Sequence, residues 1–142
     1  MPACGTRYAR GVTDIAALEG WLHRYVEAWR SNDPDQIGSL FTDDAVYRWN
    51  PYDDGENVAQ GREAIVRGWL DEPDEPDSWE LAIEPLAVTG ELGVARGLTT
   101  YAGGADGDRV YHNIFLVSLD DEGRCFDFTE YYMRQPGAPA GA

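Results

Sequence analysis

The chain has 142 residues and a formal net charge of −15, with 26 acidic side chains against 11 basic ones. Every basic residue is an arginine, so Schiff-base chemistry through lysine and a Walker-type phosphate loop are excluded. A field this negative repels nucleic acid and anionic membrane surfaces, and its simplest role is solubility.

Hydrophobic residues make up 43% of the chain, enough for one folded domain with a real core. Cys4 and Cys125 do not form a disulfide framework. The opening MPACGTRYARG lacks the apolar run of a signal peptide, and no later run is long enough to span a bilayer. These features predict a cytoplasmic protein whose residues 1–12 form a flexible leader.

From Asp14 to about Arg30, Ile15, Leu18, Leu22, Tyr25 and Trp29 recur with the period of an amphipathic helix, Thr13 being the expected N-cap. SNDPD ends it, and Asp33-Pro34 opens a short second helix carrying Ile37, Leu40 and Phe41. TDDA reads as a turn, Val46 to Trp49 as a short strand, and NPYDDG as a loop. A third helix, from about Arg62 to Leu70, presents Ile65 and Trp69 on one side. The proline-broken acidic stretch DEPDEPD, Asp71 to Asp77, is a solvated connector, with a lid or cation-collecting loop as the sharper alternative.

Four strands follow: Trp79 to Val88, Leu92 to Ala102, Arg109 to Leu119 and Cys125 to Arg134. Their links TGE, GGADGD and DDEG are hairpin-like and predict an antiparallel meander. Helices first and a meander second is the order of an α+β fold, a single domain over residues 13–134 with a disordered tail at 135–142. In YHNIFLVSL, Ile114 and Leu116 lie on the opposite face from Phe115 and Val117, so both faces of that strand are apolar. Helices cover one face, and a second copy of the chain is the simplest cover for the outer one, which predicts a homodimer.

The stretch RCFDFTEYYM places Phe126, Phe128, Glu130 and Tyr132 on one strand face, a carboxylate among rings. Three readings follow. Arg96 pairs with Glu130 across Asn113, reaching over next-but-one strands about 10 Å apart. Or Glu130 is a general acid or base whose pKa is raised by an apolar pocket. Or the register is shifted by one and Glu130 faces out.

The string AWRSNDPDQIGSLFTDDAVY, the following GREAI and the closing GRCFDFTEYY resemble the nuclear transport factor 2-like superfamily, and within it SnoaL-like cyclases, ketosteroid isomerases and limonene-epoxide hydrolases. The resemblance covers about residues 13–134. It implies a cone-shaped barrel, a curved antiparallel sheet wrapped around three N-terminal helices, with a deep apolar pocket, and commonly a homodimer. Against the isomerases, HRYVEAW supplies the oxyanion-donating tyrosine as Tyr25, while Trp49 stands where their base is, and Phe115 or a near neighbour where their protonated aspartic acid is. Without that base, steroid isomerisation by the usual mechanism is excluded. Against the epoxide hydrolases, Tyr47, Asn50 and Pro51 approximate a Y-x-N-x-P stretch, and Arg96 and Glu130 match two members of an Asp-Arg-Asp trio whose third place is Leu98.

The expectation is therefore a SnoaL-like domain holding a small, mainly apolar organic molecule. Glu130, Arg96 and Tyr25 are its candidate catalytic residues. Tyr47, Trp49, Asn50, Trp69, Asn113, Phe115, Phe128 and Tyr132 are its candidate binding residues. The chemistry would be proton transfer, cyclisation, dehydration or water addition, and no cofactor is implied. The alternative is a non-catalytic binding or dimeric interaction protein with a structural Arg96–Glu130 pair. His23 reads as solvent-exposed and His112 as an interface or surface position, and two separated histidines imply no metal site.

Overall fold

The computed structural model describes residues 13–71, 73–75, 77–104 and 107–137. The expected leader, with Cys4, lies outside them, as does the expected tail beyond residue 137. The first helix, α1, runs Ile15–Ser31. Its N-cap is Asp14 rather than Thr13, the carboxylate accepting the Ala17 N–H at 2.7 Å. A carboxylate also complements the positive end of the helix dipole, which a threonine hydroxyl does only weakly. Asn32 ends α1 in the left-handed region at φ 53°, a conformation asparagine tolerates. Asp33 caps α2, Pro34–Ser39, as the Asp-Pro pair predicts.

Strand β1 covers Phe41–Arg48, so TDDA lies within a strand and not in a turn. Two contacts hold this polar segment extended. Phe41 pairs with Cys125, and Arg62 donates from Nε and Nη2 to the Phe41 carbonyl while its Nη1 meets Asp43 at 2.7 Å. A register shift between Phe41 and Val46 takes up the intervening residues. The short β2, Ala59–Gln60, and helix α3, Arg62–Asp71, follow. The meander then comprises β3 (Trp79–Thr89), β4 (Leu92–Gly104), β5 (Gly107–Leu119) and β6 (Cys125–Arg134).

The six strands form one curved sheet in the order β2-β1-β6-β5-β4-β3. Strands β3 to β6 are antiparallel neighbours as expected, but β1 joins β6 in parallel, so the sheet is mixed and it does not close. The α+β cone around three helices stands. Helix α1 lies close against its inner face at Gly93, where an added Cβ would come within 2.9 Å of both Leu18 methyls.

The core under α1 holds Leu18, Trp21, Leu22, Phe41, Val117, Leu119 and Cys125. Trp21 satisfies its indole N–H on the Leu40 carbonyl at 2.9 Å. Strict alternation along the strand makes Cys125 face away from Glu130, yet Cys125 belongs to this core on the inner face. The ladder slips between Ser118 and Leu119, pairing Leu119 with Cys125 and turning the thiol inward. Among the described residues no helix is long and apolar enough to cross a membrane.

Candidate functional site

Directly opposed residues in a ladder share a sheet face. Phe115 lies between Ala95 and Glu130, and Asn113 between Gly97 and Tyr132. That register turns Thr99, Tyr101, Tyr111, Asn113, Phe115, Glu130 and Tyr132 into the cone, toward a cavity of about 410 Å³. Tyr25 from α1, Tyr47 and Trp49 from β1 and the turn after it, and Trp69 from α3 complete the inner wall. Trp49 reaches the cavity because Gly68 lets it. A Cβ at Gly68 would stand 2.4 Å from the far edge of the Trp49 ring.

A hydrogen-bonded chain crosses the polar side of the cavity. Thr99 donates to Asn113 Oδ1 at 2.7 Å, and Asn113 Nδ2 donates to Glu130 Oε2 at 3.0 Å. An ionised carboxylate can only accept, so the Asn113 NH₂ faces Glu130 and its oxygen is left to take the Thr99 hydroxyl. Burial among rings pushes the Glu130 carboxyl up to about 7, with the Asn113 bond acting against that rise. Burial likewise raises Tyr25 and Tyr47, the Glu130 charge adding to both, so both phenols remain protonated donors at neutral pH. The Trp69 indole N–H is buried on the Tyr47 side of the pocket, where it acts weakly on the Tyr47 hydroxyl and makes no hydrogen bond of good geometry among the described residues.

The Arg96–Glu130 pair is absent. Ala95 and Gly97 take the inward positions of β4, so Arg96 lies opposite Ile114 on the outer face and binds Glu84 at 2.6 Å. Leu98, the third place of the trio, is likewise outside, opposite His112. Asn50 is a turn residue and not a wall of the cavity. Its N–H donates to Asp53 Oδ2 at 3.0 Å, and its carbonyl accepts the Asp53 N–H at 3.1 Å. Phe128 is fully buried behind the lining, stacked on Tyr47 at 4.5 Å and supporting Tyr25 at 5.9 Å, so it packs the wall and does not face the cavity. Tyr25, Tyr47, Trp49, Trp69, Asn113, Phe115, Glu130 and Tyr132 do line it.

Sequence reasoning missed the mouth. Asp74, from the acidic connector, accepts from Trp29 Nε1 at 3.3 Å and from the Tyr101 hydroxyl at 3.5 Å, while its carbonyl accepts from Asn32 Nδ2 at 3.3 Å. Trp29 stacks on Trp79 at 3.6 Å, and Arg109 lies over the Tyr101 ring at 4.9 Å. The signals were present. Trp29 follows Tyr25 by one helical turn, and Thr99 and Tyr101 share strand parity with the small residues Ala95 and Gly97. The histidines sit on the surface as expected, His23 beside Glu27 and His112 beside Gln135. Among the described residues no three or more His, Cys, Asp or Glu side chains are grouped to hold a metal ion.

The profile of the SnoaL-like domain family matches residues 22–127. No curated protein sequence matches the chain. An NTF-2 like protein of unknown function from Burkholderia xenovorans LB400 superposes with a TM-score of 0.65 at 16% identity, covering 88% of this chain and 89% of its own. SalBIII, described as an epoxide hydrolase/cyclase-like enzyme in pyran ring formation in the polyether salinomycin, superposes with a TM-score of 0.59 at 17% identity over 81% of this chain and 89% of its own. A ketosteroid isomerase-like protein from Erwinia carotovora atroseptica SCRI1043 gives 0.56 at 19% identity, over 86% and 97%. At such identities the likeness is one of fold.

Proposed function

The chain belongs to the SnoaL-like domain family, and from that premise we propose that its cavity binds a small, mainly apolar organic molecule and moves a proton on it through Glu130. One observation carries this reading. Glu130 sits in a ring-lined cavity with Oε2 held by Asn113 and with Oε1 lacking any donor among the described residues. A carboxyl at about 7 is divided between acid and base near neutrality, the condition for taking a proton and returning it. Tyr25 and Tyr47 are the donors for charge developing on the substrate, and Asn113, fixed by Thr99, positions the carboxyl.

One carboxyl and phenolic donors suit isomerisation, cyclisation or dehydration, and of these cyclisation is the one that the description of SalBIII as epoxide hydrolase/cyclase-like also names. Epoxide hydrolysis through an Asp-Arg-Asp trio has less support, since Arg96 and Leu98 both lie outside the cone. The non-catalytic alternative requires an Arg96–Glu130 pair, whereas Arg96 binds Glu84 on the outer face. The free oxygen and the open cavity favour chemistry instead.

The test is a ligand screen read by thermal shift, using terpenoid, steroid and aromatic polyketide fragments, followed by turnover assays on the hits. Hits should stabilise the protein by about 2.7 kcal/mol at a hundred times their dissociation constant. Glu130→Gln should keep binding and abolish turnover. Hits that are never turned over by the native protein would favour the non-catalytic reading.

The proposed assembly is a homodimer through the outer sheet face, where Leu98, Tyr131 and Met133 are exposed beside Ile114 and Leu116. Leu116→Glu should then give a 15.8 kDa species in sedimentation where the native chain gives twice that mass. A native chain that sediments only as the monomer at micromolar concentration would remove the proposal.

A further inference from the structure

We propose that the molecule selected by this cavity carries one cationic nitrogen on its apolar body, with the ammonium group seated against the free oxygen of Glu130 among the rings of Tyr47, Trp49 and Trp69. The proposal rests on the reading of the cavity as a ligand pocket and narrows the class of ligand.

The first support is the arrangement of the rings. Trp49 is tilted 51° to Tyr47, and Trp69 stands at 77° to Tyr47 and 81° to Tyr25. Tyr47 is buried against Phe128 and Trp49, so the ring surface these walls offer a cation comes chiefly from Trp49 and Trp69, both half-buried and bordering the cavity. The fold already uses this attraction at the rim, where the Arg109 guanidinium lies 4.9 Å over Tyr101.

The second support is the charge of the lining. Its carboxylates are Glu130 inside and Asp74 at the mouth, and its one cation, Arg109, is exposed at the rim. An anionic ligand would meet both carboxylates in a low-dielectric space, and the net charge of −15 would oppose its approach. A neutral apolar ligand would leave an ionised Glu130 with only the Asn113 bond and expel the water that otherwise solvates it. A cationic ligand gives up its own hydration, but it carries no like-charge repulsion and pairs with the carboxylate that the water otherwise solvates. Binding of a cation must also pull the Glu130 carboxyl back below its raised value, so Glu130 meets such a ligand as a base, and a proton is released wherever Glu130 was protonated beforehand.

Benzyltrimethylammonium and its neutral carbon isostere, neopentylbenzene, differ in charge and hardly in shape. Their affinities for the full chain can be read by quenching of the pocket tryptophans in 0.15 M salt at pH 8 and pH 6. The expected result is an advantage of at least about tenfold for the cation at pH 8. It should shrink at pH 6 and in Glu130→Gln, where only the rings still favour the cation, with proton release on binding near pH 7. The glutamine variant keeps the rest of the acidic surface, so it separates the local carboxylate from the overall field. Equal affinities at pH 8, or an advantage undiminished in Glu130→Gln, overturn the proposal while leaving the ligand pocket in place. Binding of neither probe overturns it together with the pocket reading. The pH dependence and proton release of the native chain provide the same decision if the variant does not fold.

Discussion

The inner face of the sheet has two ends, and α1 treats them differently. At one end Leu18, Trp21 and Leu22 fill the cone completely against Val117, Leu119 and Cys125. At the other, Tyr25, Trp29 and Asn32 of the same helix only border the space, and the sheet answers with Thr99, Asn113 and Glu130. Both ends are rich in aromatic rings, so hydrophobicity does not distinguish them. What distinguishes them is whether the polar groups are aimed at one another across an unfilled volume. A packed end supplies the stability that lets the other end keep a desolvated carboxyl.

The contrast is broken most directly at the filled end. Trp21→Ala removes a fully buried ring that touches Tyr25, Phe41 and Phe128, and it takes from the Leu40 carbonyl one of its two donors, the Cys125 N–H remaining at 2.8 Å. The expected loss is about 3–5 kcal/mol in urea unfolding. A loss below about 1 kcal/mol would mean the filled end is not the anchor.

At the open end the expected sign reverses. Burial raises Glu130 from 4.5 to about 7, so protonation is favoured in the fold more than in the unfolded chain. Its contribution is fully present below about pH 4.5 and is lost as pH rises through about 7. Glu130→Gln should therefore match the native protein near pH 4.5 and exceed it at pH 8 by about 3 kcal/mol. A glutamine variant equal to the native protein at both pH values would show that the carboxyl is solvated.

The filled end was legible in the sequence because helical spacing marks Leu18 and Leu22 without reference to anything distant. So was Glu130 among rings, from strand alternation within a single segment. Arg96 was not, because its face depends on how the hairpin between β4 and β5 sets the register, and that ladder slips between Tyr101 and Gly104. Composition misleads there as well. In GVARGLTTY the larger residues invite placement inside, yet α1 approaches so closely that Gly93 and Ala95 take the inner positions. Asp74 escaped for another reason. Its role is set by Trp29, Asn32 and Tyr101, which lie far from it in sequence.

Asn113 links the two kinds of information and sharpens the comparison at intermediate size. Asn113→Leu leaves the buried Thr99 hydroxyl without its acceptor and Glu130 without its donor. The cost should be about 1–3 kcal/mol. Because the asparagine bond lowers the Glu130 carboxyl, its loss should move the titration further above 7, visible as a shift of any pH–rate profile to higher pH. An unshifted profile would assign Asn113 to packing alone.

The smallest effect belongs to Arg96, and it decides between the two geometries open to Glu130. With Arg96 and Glu84 side chains 63% and 59% exposed, their contact at 2.6 Å is screened by water and salt. Arg96→Met should change stability by no more than about 0.5 kcal/mol, as exposed pairs do. Had Arg96 been the buried partner of Glu130, removing either one would strand the other at a cost of about 3–5 kcal/mol, and removing both would restore most of it. On the observed register the two residues lie on opposite faces of the sheet and share no neighbour that titrates. The double variant Arg96→Met with Glu130→Gln should then equal the sum of the single changes to within about 0.5 kcal/mol. Measured at pH 8, where Glu130 is ionised, a coupling above about 1 kcal/mol would mean that the hairpin adopts the other register in solution.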